Sequence, residues 1–246
     1  MAKILTNVKH CGTIFPMETK IQSVAIDGPA GVGKSTVAKL LAQKLGWATL
    51  ETGAIYRAIT VNFITKNLPL ENEEILAKAV QGLPVEVAFE NQKQHLIVEG
   101  VDLTPYLRAP IVDQNVALVA KVPQVREAVR AVQRKIATSQ NIVVEGRDIG
   151  TIVLPESQNK FFLTASPQVR AQRRFDELVS KGGEVPNFLL LLADIQKRDE
   201  MDKTRAVSPL KPASDAVIIN TDHLEIESVV HKMALHILRK ENEMNK

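Results

Sequence analysis

The sequence is poor in cysteine, in aromatic residues and in net charge. Its 246 residues include one cysteine, so no internal disulfide is possible and a reducing cytoplasm is the expected compartment. Aromatic residues make up 4% of the chain and are not interleaved with basic ones, which argues against a protein that binds single-stranded nucleic acid. A net charge of +3 is too small to indicate a nucleic-acid-binding body. No apolar run approaches the length of a membrane span, so we expect neither nucleic acid nor a membrane as a partner.

Length and composition are those of an ordinary globular protein. With 45% hydrophobic and 24% charged residues, the chain is long enough for one α/β domain with insertions or for two small domains. The first twenty residues are polar and lack the apolar segment of a signal peptide. We expect residues 1–20 to be an N-terminal extension that is disordered or wrongly assigned to the protein, with translation beginning at Met17.

The most informative segment matches the phosphate-binding pattern G-x-x-x-x-G-K-[ST]. An apolar run precedes it, and an amphipathic stretch ending at Gly46 follows it, which is the strand–loop–helix context that the motif requires. In such a loop, backbone N–H groups surround a phosphate, Lys34 contacts the outer phosphates and the Ser35 hydroxyl binds Mg²⁺. The chain is therefore predicted to bind a nucleoside triphosphate through Gly28, Pro29, Ala30, Gly31, Val32, Gly33, Lys34, Ser35 and Thr36.

Apolar runs bounded by turn residues alternate with helical patterns along the chain. This alternation predicts βαβ units and a parallel sheet, with strands at Ile21–Asp27, Ala48–Glu51, Ile142–Glu145, Lys160–Thr164 and Ala216–Thr221. Two-residue periodicity on either side of a polar link at residues 90–94 predicts an inserted β-hairpin. We assign a core to residues 21–60, 120–180 and 206–240, an insert to about 61–119, and a lid to about 181–205. The lid prediction rests on Gly182 and Gly183 before a charged segment, a composition that a plain surface loop shares.

Arginines recur at helical spacing in two places. Arg170, Arg173 and Arg174 share one predicted helix face, and Arg198, Asp202 and Arg205 share another. Surface helices often carry such patterns, and an Arg–Asp pair at i, i+4 stabilises a helix by only a few tenths of a kcal/mol. A phosphate loop in the same chain favours a functional interpretation, because guanidinium groups bind phosphate oxygens in pairs.

Charged residues also follow two predicted strands of the sheet. The segment Glu51–Arg57 follows the second strand, and Glu145-Gly146-Arg147-Asp148 ends the third. Ligands of open α/β sheets bind at the carboxyl edge. The arginines and carboxylates of these two segments are therefore expected beside the phosphate loop.

With these motifs in order, the sequence resembles the bacterial cytidylate kinases of the nucleoside monophosphate kinase family. The similarity extends over nearly everything after residue 20. The segments that carry it are Ile26–Thr36, Thr52–Arg57, Val125–Glu127, Glu145–Thr151, Phe162–Ser166, Arg170–Arg174 and Arg198–Pro212. The resemblance implies a P-loop fold with a five-stranded parallel core, an inserted antiparallel β subdomain that binds the monophosphate, and a short lid.

The resemblance also implies roles for individual residues. By analogy with the family, Thr52, Arg126 and Asp148 would read the cytosine. The acceptor phosphate would be bound by Arg57, Arg147 and Arg205, and the ribose by Arg198 and Asp202. Cytosine offers an amino donor that a carboxylate accepts, whereas uracil has an oxygen there. Arg173 and Arg174 are the expected clamps on the lid side, and Glu145 is expected to hold Mg²⁺ through water together with Ser35.

Three residues depart from the family's usual pattern. Ala30 stands in the phosphate loop where many relatives have serine, and Glu145 replaces a frequent aspartate. Ala117 lies where many relatives have a serine that touches the sugar. Its missing hydroxyl leaves open whether CMP or dCMP is preferred.

The predicted reaction is Mg²⁺-dependent transfer of the γ-phosphoryl group of ATP to CMP or dCMP. No histidine occurs in the matched motifs, and the nucleophile is a phosphate oxygen that needs no general base. Alternatives are a kinase for UMP, AMP or a metabolite alcohol, and a nucleotide-dependent switch. The Asp-x-x-Gly and Asn-Lys-x-Asp motifs of guanine switches are absent from the chain. We expect an enzyme that acts on small molecules as a monomer.

Overall fold

The computed structural model describes residues 21–90, 93–180, 182, 187–205 and 207–244, so the predicted N-terminal extension lies outside the described residues. The strands are β1 (Ser23–Asp27), β2 (Ala48–Glu51), β3 (Val85–Glu90), β4 (Lys93–Val98), β5 (Val101–Asp102), β6 (Ile142–Gly146), β7 (Asn159–Thr164) and β8 (Val217–Asn220). The α-helices are α1 (Lys34–Leu45), α2 (Thr52–Thr65), α3 (Glu73–Ala79), α4 (Pro110–Ala120), α5 (Pro123–Ala137), α6 (Pro167–Ser180), α7 (Phe188–Thr204) and α8 (Ile226–Met244). A 3₁₀ turn spans Thr104–Tyr106 and a π-helical turn spans Ile149–Val153.

Five parallel strands form the main sheet in the order β2-β6-β1-β7-β8. All five predicted strands are present, with ends that differ by no more than two residues. The register pairs Asp27 with Gly146 and Glu51 with Glu145. The carboxyl ends of β1, β2 and β6 therefore lie side by side, and the phosphate loop, the start of α2 and the segment after β6 meet at one edge.

Alternate residues of each strand face opposite sides of this sheet and form two cores. On one side, Val24, Ile26 and Phe161 pack with apolar residues of α1 and α8. On the other side, Ala25 and Val144 pack with α2, α5 and the small sheet. No helix in the described part of the chain is both long and apolar enough to cross a membrane.

The predicted hairpin is confirmed. Strands β3 and β4 pair in antiparallel register, and β5 completes a three-stranded sheet. Gln94 of β4 connects this sheet to the main one, because its side-chain oxygen accepts from Glu51 N at 2.8 Å and its side-chain nitrogen donates to Glu51 O at 3.1 Å. The amide therefore occupies the free edge of β2 much as a neighbouring strand would.

The predicted charged helix after Gly182 is α7, whose first backbone N–H groups donate to the Asn187 side chain. Of the predicted glycine hinge, only Gly182 lies within the described residues. The expectation that Arg205 continues the face of Arg198 and Asp202 is wrong. The helix ends at Thr204, and Arg205 is extended at φ −60° and ψ 139°.

Candidate active site

The phosphate loop lies between β1 and α1 with the backbone that its glycines allow. Gly31 and Gly33 have φ of 75° and 93°, where other residues are strained. A Cβ on Gly28 would lie 2.3 Å from Leu163 O, so the loop passes too close to β7 for any side chain there. Gly46 ends α1 in the left-handed conformation, as predicted.

Lys34 is buried at the start of α1, and its Nζ donates to Pro29 O of the same loop at 2.8 Å. Burial, followed by the charge of Arg147, lowers the pKa of Lys34 to about 7, against the opposing effect of Glu145. A phosphate bound in the loop would favour the protonated form.

Ser35 and Glu145 meet across the gap between α1 and β6. Ser35 Oγ donates to Glu145 Oε1 at 3.1 Å. Glu145 is buried, and burial raises its pKa while the nearby Lys34 opposes that shift. The two predicted metal ligands thus present neighbouring oxygen atoms beside the loop.

The three predicted base-reading residues are buried around the end of β6. Arg126 Nη2 donates to Asp148 Oδ2 at 2.7 Å, and the Arg126 guanidinium carbon lies 5.8 Å from the centre of the Tyr56 ring. Arg126 Nε is buried and has no hydrogen-bond partner among the described residues. Thr52 Oγ1 donates to Glu145 O at 2.8 Å, which fixes the start of α2 to the end of β6.

Three further predicted residues form a network between β6 and α7. Arg147 Nε donates to Asp202 Oδ2 at 3.0 Å, and Arg205 Nη1 reaches Asp202 Oδ1 at 3.5 Å. Burial acts to raise the pKa of Asp202, but Arg147 and Arg205 hold it below its ordinary value. Arg205 Nη2 is buried with no partner in the described chain. It is a second guanidinium donor, besides Arg126 Nε, that remains for a ligand.

Arg57 and Arg198 complete the cluster of predicted acceptor residues. Arg57 Nη2 pairs with Asp113 at 2.6 Å, and its Nη1 donates to Leu107 O at 3.0 Å. Burial, and then the charge of Arg147, lowers the pKa of Arg198, which is also close enough to Arg57 to be affected by it. Arg198 therefore lies close to both Arg147 and Arg57, and these arginines border one site.

The predicted lid-side clamps separate in the structure. Arg173 donates to Thr221 Oγ1 and Thr221 O at 3.1 and 2.6 Å, and so contacts the segment after β8 next to the phosphate loop. Arg174 pairs with Glu177 at 2.7 Å on an exposed part of α6 and is not brought into the cluster.

Sequence reasoning missed two residues that organise this site. Asp27, the last residue of β1, accepts the N–H groups of Ile149 and Gly150 at 2.8 Å each. It thereby fixes the backbone directly after Asp148, and burial raises its pKa to about 6. Arg170 was counted with Arg173 and Arg174, yet it is buried and pairs with Asp199. The sequence did contain a signal for Asp27, because a charged residue at the end of a buried strand indicates a structural or functional role.

Comparison with known proteins identifies the family of this chain. The family model described as cytidylate kinase matches residues 24–239. A cytidylate kinase of Carboxydothermus hydrogenoformans is 44% identical over 221 residues, which cover 90% of this chain and 99% of the relative. One from Caldanaerobacter subterraneus is 45% identical over 210 residues, covering 85% and 92%. The chain therefore belongs to the cytidylate kinase family.

Proposed function

We propose that the residues gathered at this sheet edge carry out the reaction of the cytidylate kinase family, the transfer of the γ-phosphoryl group of ATP to CMP or dCMP. One observation carries the proposal. The four-residue segment Glu145–Asp148 contacts the phosphate loop at one end, through Ser35, and the base-reading Arg126 at the other. A donor and an acceptor nucleotide bound at the two ends would be brought together at Arg147.

The donor half of the site consists of residues 28–36. Backbone N–H groups of the loop and the start of α1 bind the phosphates of ATP, and the Lys34 ammonium contacts the outer ones. Arg173, fixed on Thr221 beside the loop, is positioned to contact the donor nucleotide as a clamp. Arg174 keeps its predicted role as a second clamp, although its pairing with Glu177 argues for Arg173 as the stronger candidate.

The oxygen atoms beside the loop fit a magnesium ion. Magnesium prefers hard oxygen ligands and keeps several waters, with one or two carboxylates and the substrate's phosphates as its other ligands. Ser35 Oγ would bind it directly, and Glu145 would hold it through water. Among the described residues, no group of three or more His, Cys, Asp or Glu could form a metal site alone. The bound ion would neutralise charge on the transferring phosphoryl group.

The acceptor half is assigned by the roles that the family resemblance implies. Asp148 accepts from the cytosine amino group, with Arg126 and Thr52 beside it, while Arg198 and Asp202 hold the ribose. The three guanidinium groups that bind the acceptor phosphate belong to Arg57, Arg147 and Arg205. Arg205 supports this assignment with its buried, unpartnered Nη2.

The nucleophile is an oxygen of the acceptor's own phosphate, which is deprotonated near neutral pH. Catalysis therefore needs alignment and charge neutralisation rather than a general base. Lys34 and Arg147 stabilise the charge that spreads over the transferring group. A lid within residues 181–205 would exclude water, which could otherwise accept the phosphoryl group. We also propose that the enzyme acts as a monomer.

The test is an assay coupled to ADP release, with CMP, dCMP, UMP and AMP as acceptors at equal concentrations. CMP and dCMP are expected to be the best acceptors, and their ratio answers the question that Ala117 leaves open. Faster turnover with UMP or AMP would refute the proposed specificity. ADP release at the same rate without any acceptor would indicate an ATPase instead.

A further inference from the structure

Arg170 forms the most completely buried ion pair of the described chain, and phosphoryl transfer as proposed above leaves it without a role. Its side chain is 2% exposed. Its Nη1 and Nη2 donate to the two carboxylate oxygens of Asp199 at 2.9 and 2.5 Å. Its Nη1 also donates to Ala30 O at 3.1 Å, and its Nε donates to Ala165 O at 3.0 Å. One guanidinium therefore holds three separate segments of the chain.

Two of those segments belong to opposite halves of the active site. Ala30 lies in the phosphate loop, and its neighbour Gly31 is so close to α6 that a Cβ there would lie 3.2 Å from Arg170 Cβ. Asp199 lies in α7 beside Arg198 and three residues before Asp202. Within the described residues, the Arg170 side chain directly connects the donor loop and the helix that carries the two proposed ribose-binding residues.

The chemistry of this connection makes it rigid. A bidentate guanidinium–carboxylate pair fixes both the distance and the plane of its partners. Because both groups are buried, either charge would be costly without its partner, so the two side chains must stay paired. At the other end of the same two helices, the rings of Phe175 and Phe188 pack edge to face at 6.2 Å. Of these two contacts between α6 and α7, the Arg170 pair is the one that extends to the phosphate loop.

We propose that Arg170 and Asp199 are positioning residues for phosphoryl transfer. The pair sets α7, with Arg198 and Asp202, at a fixed distance from the phosphate loop, so that acceptor and donor phosphates meet in line. Misplacing reacting groups by about 1 Å can lower a rate about 10²-fold. This inference rests on the acceptor site proposed above, because Arg198 and Asp202 are what the pair positions.

The decisive variant is Asp199→Asn, which keeps the shape of the side chain but removes its charge and one of its two acceptors. Its kcat and its KM for CMP are measured well below the melting temperature, together with the Kd of ATP alone. The expected result is a fall in kcat/KM for CMP of about 10²-fold. The Kd of ATP is expected to stay within threefold, since Arg170 still reaches Ala30 O.

Asp215→Asn is the matched control. Asp215 also accepts two hydrogen bonds from a buried cation, Lys160 Nζ, at 3.0 and 2.9 Å, but at the start of β7 rather than beside the loop. This variant is expected to lower the melting temperature and to leave the kinetic constants unchanged. Equal kinetic losses in both variants would mean that Asp199 acts only on stability, and would overturn the proposal.

If Asp199→Asn fails to fold, Asp199→Glu is the variant that tests the proposal. It retains the charge and the ion pair but lengthens the side chain by one methylene, so α7 shifts relative to the loop. We expect a folded enzyme with kcat lowered at least tenfold. Unchanged kinetics in whichever of the two variants folds would overturn the proposal. Arg198→Ala is measured in parallel, because an unchanged KM for CMP in that variant would refute the acceptor site itself and not only its positioning.

Discussion

Arg126 Nη2 lies 2.7 Å from Asp148 Oδ2, and the side chains are 5% and 11% exposed. The bond occupies one Asp148 oxygen. The other oxygen accepts no hydrogen bond within the described residues, although Asp27 holds the backbone after it in place through Ile149 and Gly150. A carboxylate that is fixed on both sides and keeps one free acceptor is suited to recognise an amino group.

Asp148→Asn tests this recognition. The amide keeps an oxygen for Arg126 and presents an NH₂ group where the free acceptor was. That group opposes the amino group of cytosine and complements the oxygen of uracil. A base contact of this kind is worth about 1–3 kcal/mol, so we expect the ratio of kcat/KM for CMP to that for UMP to fall about tenfold to a hundredfold. The measurement is steady-state kinetics with both acceptors.

The same variant should bind ATP normally, as measured by calorimetry without an acceptor. Loss of ATP affinity would mean that Asp148 belongs to the donor site. An unchanged CMP-to-UMP ratio would mean that another group reads the base.

The sheet and the phosphate loop could be predicted because local patterns determine them. Alternation in β3 and β4 and the order of apolar runs depend on neighbours in sequence, and so does a loop that needs glycine at φ of 75° and 93°. Helical spacing was less informative for the arginines. Arg170 and Arg174 are one helical turn apart, yet one is buried and the other is paired at the surface.

The reason lies in what packs against each helix. Periodicity states which residues share a face, but only the tertiary structure brings Asp199 to that face of α6. Arg205 illustrates the same limit. Because α7 ends at Thr204, Arg205 does not lie on the predicted helix face, yet its Nη1 is still 3.5 Å from Asp202 Oδ1. Charge pairs between elements distant in sequence leave no local pattern.

Glu145→Gln is expected to weaken the binding of magnesium at little cost in stability. Burial raises the pKa of Glu145. The negative charge therefore adds little to the stability of the folded state, and removing it should cost little. Outer ligands of a metal site typically contribute 10–100-fold in affinity or activity. We therefore expect the Mg²⁺ concentration for half-maximal activity to rise about tenfold, and the free energy of unfolding not to fall near neutral pH, because the raised pKa means that the charged form does not favour folding.

Glu51→Gln is the control for that experiment, since Glu51 ends the neighbouring strand β2 and pairs with Arg108 at 2.6 Å rather than with Ser35. Its magnesium dependence should equal that of the unmodified enzyme. If the Glu145→Gln enzyme needed the same Mg²⁺ concentration for half-maximal activity as the unmodified enzyme, Glu145 would be excluded from the metal site.

Gln94→Ala is expected to loosen the attachment of the small sheet. The variant loses both hydrogen bonds to the Glu51 backbone, each worth about 0.5–1.5 kcal/mol, so unfolding should become about 1–3 kcal/mol easier. Arg57 is held by Asp113 and Leu107 of the insert. For that reason KM for CMP should rise several-fold, with KM for ATP unchanged.

Arg108→Ala provides the comparison for Gln94→Ala in denaturant titrations. It removes the other side-chain contact to Glu51, but Arg108 is 67% exposed. A surface ion pair of this kind contributes less than about 1 kcal/mol. An Arg108→Ala enzyme destabilised as much as Gln94→Ala would show that the ion pair, not the amide, holds the insert.

Lys34 should take up a proton when ATP binds. Burial lowers its pKa to about 7 in the unliganded enzyme, so the neutral form becomes more populated as the pH rises from 6 to 8. Bound phosphates favour the charged form and raise that pKa. ATP binding should therefore take up more protons at pH 8 than at pH 6, and apparent affinity should fall as pH rises above 7. Calorimetry in buffers of different ionisation enthalpy measures the uptake directly.

Lys34→Arg, whose side chain is charged at both pH values, should abolish the proton uptake. Equal uptake in that variant would assign the proton to another group.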